Sequence, residues 1–123
     1  MQLLVDTHIL IWHPEDDPRL SLEWSGLLEN PEHQKWFSIA SLWEMAVKTN
    51  IGHLTLVYPL DRIVPADFLV LPVEIAHLLA YQKLPLHHRD PFDRTLIAQA
   101  QTEGLTIMTH DTNFALYDVS ILR

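Results

Sequence analysis

Cysteine is absent from the chain, which rules out disulfides and any thiolate-ligated metal. That fits a reducing compartment. Long apolar runs are missing too: none approaches the ~18 to 20 residues needed to span a bilayer. The opening residues Met1 to Asp6 carry no basic stretch and meet an acid too early for a secretory signal. The expected location is cytoplasmic, with no membrane partner. Basic residues are scarce, since 8 Lys and Arg face 16 Asp and Glu, for a formal charge of −8. Non-specific nucleic-acid binding draws its affinity from phosphate neutralisation by Lys and Arg, so a general nucleic-acid coat is disfavoured. The excess acid points instead to a site that collects cations, or to a basic partner. The remaining composition, 48% hydrophobic and 20% charged over 123 residues, is that of an ordinary folded protein. No repeat, low-complexity tract or linker interrupts it, so residues 1–123 read as one domain with one core.

Strand and helix signals alternate along the chain. Leu3-Leu4-Val5 is apolar without alternation, as suits a strand buried on both faces of a parallel sheet. Pro14 and Pro18 bound an irregular segment, and Ser21 to Glu29 reads as a short helix stopped near Pro31. Trp36 to Ile39 is a second strand candidate. Ser41-Leu42-Trp43-Glu44 fits a capping box opening a helix that runs to Gly52. A weaker helical stretch, Pro59 to Val64, precedes an extended segment from Leu69 to Val73 and a helix from Glu74 to Lys83. Asp90-Pro91-Phe92-Asp93 is the best-marked helix start, with an acid at the cap and Pro at the first helical position. That helix ends at Gly104. Leu105 to Thr109 reads as a strand, Asp111-Thr112-Asn113 as a turn, and Val119 to Leu122 as a last edge strand. The alternation predicts an α/β sandwich around a mainly parallel sheet.

Four carboxylates stand at element ends. Asp6 follows the first strand, Glu44 the second, Asp93 starts the best-capped helix, and Asp111 follows the fourth strand. In an open parallel sheet these ends share one edge, where ligands bind. Carboxylates brought together there repel one another and need a cation. Oxygen donors select Mg²⁺ or Mn²⁺, the usual equipment for phosphodiester hydrolysis. Each acid also has a structural alternative. Glu44 can close the capping box with Ser41 or pair with Lys48, Asp93 can complement a helix dipole, and Asp111 can form a turn or a cap. Asp6, directly after an apolar strand, has no evident capping duty.

The strings Val5-Asp6-Thr7-His8, Ser38 to Glu44, Asp90 to Ala100 and Met108-Thr109-His110-Asp111 resemble the successive signatures of the PIN-domain family, and of its VapC toxin branch in particular. The resemblance covers nearly the whole chain, in order and in register. It implies a three-layer PIN-like sandwich, Mg²⁺- or Mn²⁺-dependent cleavage of RNA, a homodimer, and inhibition by a cognate VapB-like antitoxin. Carried over by position, the acidic quartet falls on Asp6, Glu44, Asp93 and Asp111, with Asp90 as a helix cap. Thr7 and Thr109 match hydroxyl positions that support the acids. Arg89, Arg94, Lys48 and His110 are the candidate RNA contacts, although His110 stands where the family commonly has a basic residue.

Other readings compete. Asp6 could be an aspartyl nucleophile of a signalling or phosphatase domain, but such sites want a second acid at position 8, which is His, and a Lys later than Lys83. A PIN-like binding module without catalysis is the third class, and an intact quartet speaks against it. His87 and His88 are adjacent and lack the spacing of a closed zinc site, so loop contacts to RNA suit them better. His8 reads as packing or support beside the site, and His77 as a satisfied helix residue. Trp12, Trp24, Trp36 and Trp43 fit the core or an interface better than base stacking.

Overall fold

Leu3, Leu4 and Val5 are completely buried, and they alternate between two hydrophobic clusters. Leu3 and Val5 face one cluster and Leu4 the other, as the two-residue period of a strand demands. This strand, β1 (Gln2–Val5), therefore lies inside a sheet covered on both sides. The computed structural model describes residues 1–122. Its sheet has the order β3-β2-β1-β4, with β2 at Gln34–Ser38, β3 at Leu69–Leu71 and β4 at Thr106–Met108. All three pairings are parallel, so the carboxyl ends of the four strands share one edge. The result is the α/β three-layer sandwich expected.

One layer holds α1 (Thr7–Trp12), α2 (Leu22–Glu29) and α3 (Ile39–Asn50), which supply Ile9, Leu10, Trp24, Leu28 and Met45 to the first cluster. The other holds α4 (Ile75–Gln82) and α5 (Pro91–Glu103), with Leu96, Ile97 and Ala100 under β1 and β4. The α5 start behaves as its sequence dictates. Asp90 accepts from the Phe92 and Asp93 amides at 2.9 Å each, and Pro91 occupies the first turn. Gly104 ends the helix in the left-handed region, at φ 69°, a conformation that penalises any side chain.

Several local expectations need correction. Ser41 does not cap α3. The helix begins three residues earlier, with Ser38 Oγ accepting from the Ala40 amide at 3.0 Å. Ser41 is buried inside the first turn, and its hydroxyl finds no partner among the described residues. Ile39 belongs to that helix and not to β2. The stretch after Trp12 continues from a six-residue helix, which the sequence did not announce. The segment Leu69 to Val73 forms a strand only as far as Leu71. Val119 to Leu122 contributes a single parallel bridge, Ile107 to Ile121, instead of a full edge strand. Among the described residues, no helix is long and apolar enough to cross a membrane.

Candidate active site

The sheet register builds the site's centre. Val5 pairs with Met108, and the Asp6 amide donates to the Met108 carbonyl at 3.0 Å. The next residues of the two strands, Asp6 and Thr109, must then lie side by side. Thr109 Oγ1 donates to Asp6 Oδ2 at 2.8 Å, while the Thr7 amide donates to Oδ1 at 2.7 Å. Asp6 therefore does cap α1, contrary to expectation, and its carboxylate is fixed through both oxygens. Burial pushes the Asp6 carboxyl above the usual range, against the lowering effect of Thr109, His8 and Thr7 and with a further rise from Glu44.

Glu44 lies in the second turn of α3, a turn later than the capping box would place it, and is also buried. It accepts from Thr7 Oγ1 at 2.8 Å through Oε1 and from Lys48 Nζ at 2.7 Å through Oε2. Thr7 thus bridges two acids 38 positions apart, its amide on Asp6 and its hydroxyl on Glu44. Lys48 is held by Glu44, whose carboxylate raises its pKa. The pairing expected of these two residues is present, and it uses one of the carboxylate's two oxygens.

Asp93 sits in the first turn of α5, half-buried. Burial, then the charges of Asp90, Asp6, Asp111 and Glu44, push its carboxyl up to about 8. Asp93 therefore feels the charge of each of the other three expected acids across the sheet edge. Asp111 is exposed and caps a 3-10 turn at Thr112–Leu116, and its amide donates to Thr109 Oγ1 at 3.0 Å. Thr109 consequently links Asp6 to Asp111 as Thr7 links Asp6 to Glu44.

The cluster is not a finished cage. Among the described residues, no three acid or imidazole groups converge closely enough to ligate one ion together. A closed cage is not what Mg²⁺ requires, since it takes one or two carboxylates and keeps several waters. The donors are all hard oxygens, and their mutual repulsion is the condition a cation relieves. The residues fit such an ion in donor type, and Thr7 and Thr109 tie three of them to the same sheet edge.

The basic candidates separate. Arg89 is exposed and Lys48 partly so. Arg94 departs from expectation: its side chain is buried, with Nη1 donating to Pro85 O, His88 O and the Tyr117 hydroxyl at 2.8, 3.2 and 3.0 Å. It ties down the loop before α5 and does not face solvent. Arg94→Met should therefore destabilise the fold by on the order of 3 kcal/mol, because two carbonyls and a hydroxyl lose a charged donor. Urea unfolding measures this. Unchanged stability with weakened RNA binding would restore Arg94 to the substrate.

His88 is the residue the sequence missed. Its ring is mostly buried, with Nδ1 2.7 Å from the Tyr117 hydroxyl and Nε2 3.2 Å from Asp93 Oδ2. Tyr117 already accepts from Arg94 and from the His88 amide, and its proton has the nearer acceptor in Nδ1 at 2.7 Å, against the His88 carbonyl at 3.4 Å. That assigns the remaining ring proton of a neutral His88 to Nε2, aimed at Asp93. Tyr117 lies 29 residues downstream, which is why adjacency to His87 carried no hint of this. His77 is buried and accepts from the Glu74 amide at 2.9 Å, a satisfied residue as read. Trp43 is 61% exposed and meets Phe92 edge-on at 5.0 Å, so it is not core.

A family model described as PIN domain matches residues 3–120. No curated protein sequence matches the chain significantly. Among solved structures, VapBC2 from Rickettsia felis, bound to a DNA fragment from its promoter, is similar with a TM-score of 0.75. The likeness covers 99% of this chain and 98% of that one, at 13% identity. FitAcB from Neisseria gonorrhoeae gives a TM-score of 0.66 at 20% identity over 98% and 96% of the two chains. VapBC-1 from nontypeable Haemophilus influenzae gives 0.64 at 17% identity over 99% and 97%. At these identities the likeness concerns the fold.

Proposed function

The chain belongs to the PIN domain family, and from that premise we propose that it is a metal-dependent endoribonuclease of the VapC toxin type, neutralised by a cognate VapB-like antitoxin. One observation carries the reading: Thr7 and Thr109 bind Asp6, Glu44 and the Asp111 amide into one buried polar network at the carboxyl edge, with Asp93 facing it. A structural role alone gives no reason to gather four acids there.

Asp6, Glu44, Asp93 and Asp111 would hold Mg²⁺ or Mn²⁺, which supplies water activation and neutralises charge developing on a phosphoryl oxygen. The chain's own residues do the rest. Thr7 and Thr109 fix both Asp6 oxygens, so no reorientation is needed when substrate arrives. Lys48 holds Glu44, and His88 holds one oxygen of Asp93. Lys48, Arg89 and His110 remain the candidate phosphate or base contacts, and Arg94 is withdrawn from that set. The similar structures are VapBC and FitAB assemblies, which supports an antitoxin partner. A homodimer belongs to the same proposal. Ile39, Trp43, Val47 and Ile51 form an exposed apolar stripe along α3 and its end that suits such a contact.

The test is cleavage of RNA in Mn²⁺ or Mg²⁺, in Zn²⁺, and in excess EDTA, for wild type and Glu44→Gln. Wild type should cut only with Mn²⁺ or Mg²⁺, and Glu44→Gln should be at least about a hundredfold slower. Cutting that persists in EDTA removes the metal. Wild type that cuts no RNA with either ion removes the nuclease.

A further inference from the structure

Beside the acids, α1 and the segment after β4 open a cleft of about 330 Å³. Asp6 and Asp111 line it on one side, and His8, Trp12, Arg19 and His110 supply much of the remainder. Three of those side chains are flat rings. The Trp12 centroid lies 5.8 Å from His8 and 6.0 Å from His110, with the planes tilted by 38° and 33°. The buried Trp24 stacks on one face of His110 at 4.3 Å and 4°. Arg19 lies over Trp12, mostly in solvent. Its guanidinium carbon sits 4.8 Å from the Trp12 ring centroid, while Nε and Nη2 hold both oxygens of Asp17 at 3.0 and 2.6 Å.

The fold does not require this arrangement. His8 and His110 are exposed, and Trp12 is only partly covered by the core. A row of ordered rings half in water, next to clustered acids, needs another reason. Charge narrows the possibilities. At −8 the chain cannot hold an RNA strand chiefly by neutralising its phosphates. Stacking on a ring wall is indifferent to that charge, because every base has an apolar face. Asp6 and Asp111 belong to the cleft itself, so a strand whose phosphate reaches the acids brings a neighbouring nucleotide to the rings.

We infer that this cleft is a nucleobase subsite, which takes one unpaired base of an RNA strand beside the phosphate that is cut. The inference rests on the RNA-cleaving reading above. The base that the cleft takes is unpaired, since a base inside a helix cannot present its face. The base lies against the rings of His8, Trp12 and His110. The outer edge of Arg19 faces the strand, and Asp17 holds that guanidinium in place.

The test uses binding as well as cleavage. Fluorescence anisotropy of a labelled single-stranded RNA hexamer is followed with Ca²⁺ in place of Mg²⁺, for wild type, Trp12→Leu and Trp12→Phe. A set of hexamers carries one abasic nucleotide at each position in turn. Trp12→Leu should weaken binding of the intact strand about tenfold, and Trp12→Phe less than about threefold. One abasic position should cost wild type about tenfold and cost Trp12→Leu almost nothing further. The subsite is overturned if the abasic scan is flat in wild type, or if Trp12→Leu weakens intact and abasic strands alike. Cleavage of the same hexamers by wild type in Mn²⁺ separates the two claims. Cutting with a flat scan removes the subsite alone. A strand neither bound nor cut removes the nuclease reading with it.

Discussion

Asp6→Asn is expected to lower single-turnover RNA cleavage by about a thousandfold or more while leaving the folded protein at least as stable as wild type. The two halves have separate causes. Loss of a charged group preorganised at a reaction centre typically costs ~10²- to 10³-fold, and a group that also holds an ion should cost more. On the folding side, asparagine keeps a carbonyl oxygen where Asp6 Oδ1 accepts from the Thr7 amide at 2.7 Å, so the cap of α1 survives. The contact from Thr109 at 2.8 Å changes character, since the amide nitrogen must donate to that hydroxyl. Such an exchange costs roughly 1 kcal/mol. Against it stands removal of a charge that burial and Glu44 already disfavour. In EDTA near neutral pH the two effects should cancel or favour the variant. Urea unfolding and single-turnover kinetics on one preparation decide it. An Asp6→Asn protein that is inactive and also ~2 kcal/mol less stable would mark Asp6 as a residue of the fold.

That Asp6 carries both duties shows where sequence reasoning stops. The buried run Leu3 to Val5 and the marked start at Asp90 were legible, because strand burial on two faces and helix capping are written in neighbouring residues. The four acids could be placed on one edge for the same reason: parallel strands must end together. The capping of α3 was not legible. Ser38 and Ser41 can each serve as a cap, but only Ser41 has the Glu three residues on that a capping box needs, so the local pattern favours the wrong one. Ser38 has a partner that no local pattern shows: Gln99 Oε1 accepts from its Oγ at 2.6 Å across 61 residues. The helix α1 was invisible because six residues, with buried Thr7, Ile9 and Leu10, are too few to show a helical period. Arg94 looked like a phosphate contact because arginine beside an acidic motif usually faces water. Its fate depends on Tyr117, 23 residues away, and on the carbonyls of a loop whose path no local pattern dictates. The bridging hydroxyls of Thr7 and Thr109 were legible only through the family resemblance. Their physical role, the Thr109 hydroxyl on Asp6 and the Thr7 hydroxyl on Glu44, needed the register of β1 against β4 and the placement of α1 beside α3.

In EDTA the wild-type protein should lose stability steadily as pH rises from about 5 to about 8, and Asp93→Asn should remove much of that slope. The Asp93 carboxyl is pushed up to about 8 by burial first and then by Asp90, Asp6, Asp111 and Glu44. In the unfolded chain it titrates near the ordinary value of 3.8. Between those values the folded state holds a proton that the unfolded state has released. Stability is therefore greatest below the unfolded pKa and declines as pH approaches 8, by up to ~1.4 kcal/mol per pH unit where the two states differ by one whole proton. Asp93 keeps 14% of its side chain in water and its neighbours can share the proton, so a total loss of roughly 2 kcal/mol is expected. Asparagine has no proton to lose, and it retains an oxygen for the Nε2–H of His88, so its curve should keep only the part of the slope that the raised Asp6 carboxyl contributes. Added Mg²⁺ should flatten the wild-type curve too, because a cation compensates the charge that deprotonation creates, and it should do little for Asp93→Asn. The same measurement on Asp17→Asn is the control. Arg19 holds the Asp17 carboxyl down to about 2, and that group is ionised throughout the range. Its loss should leave the slope of wild type unchanged. Equal slopes for wild type and Asp93→Asn in EDTA, with no difference in their response to Mg²⁺, would detach Asp93 from the acidic cluster and leave it only the helix start.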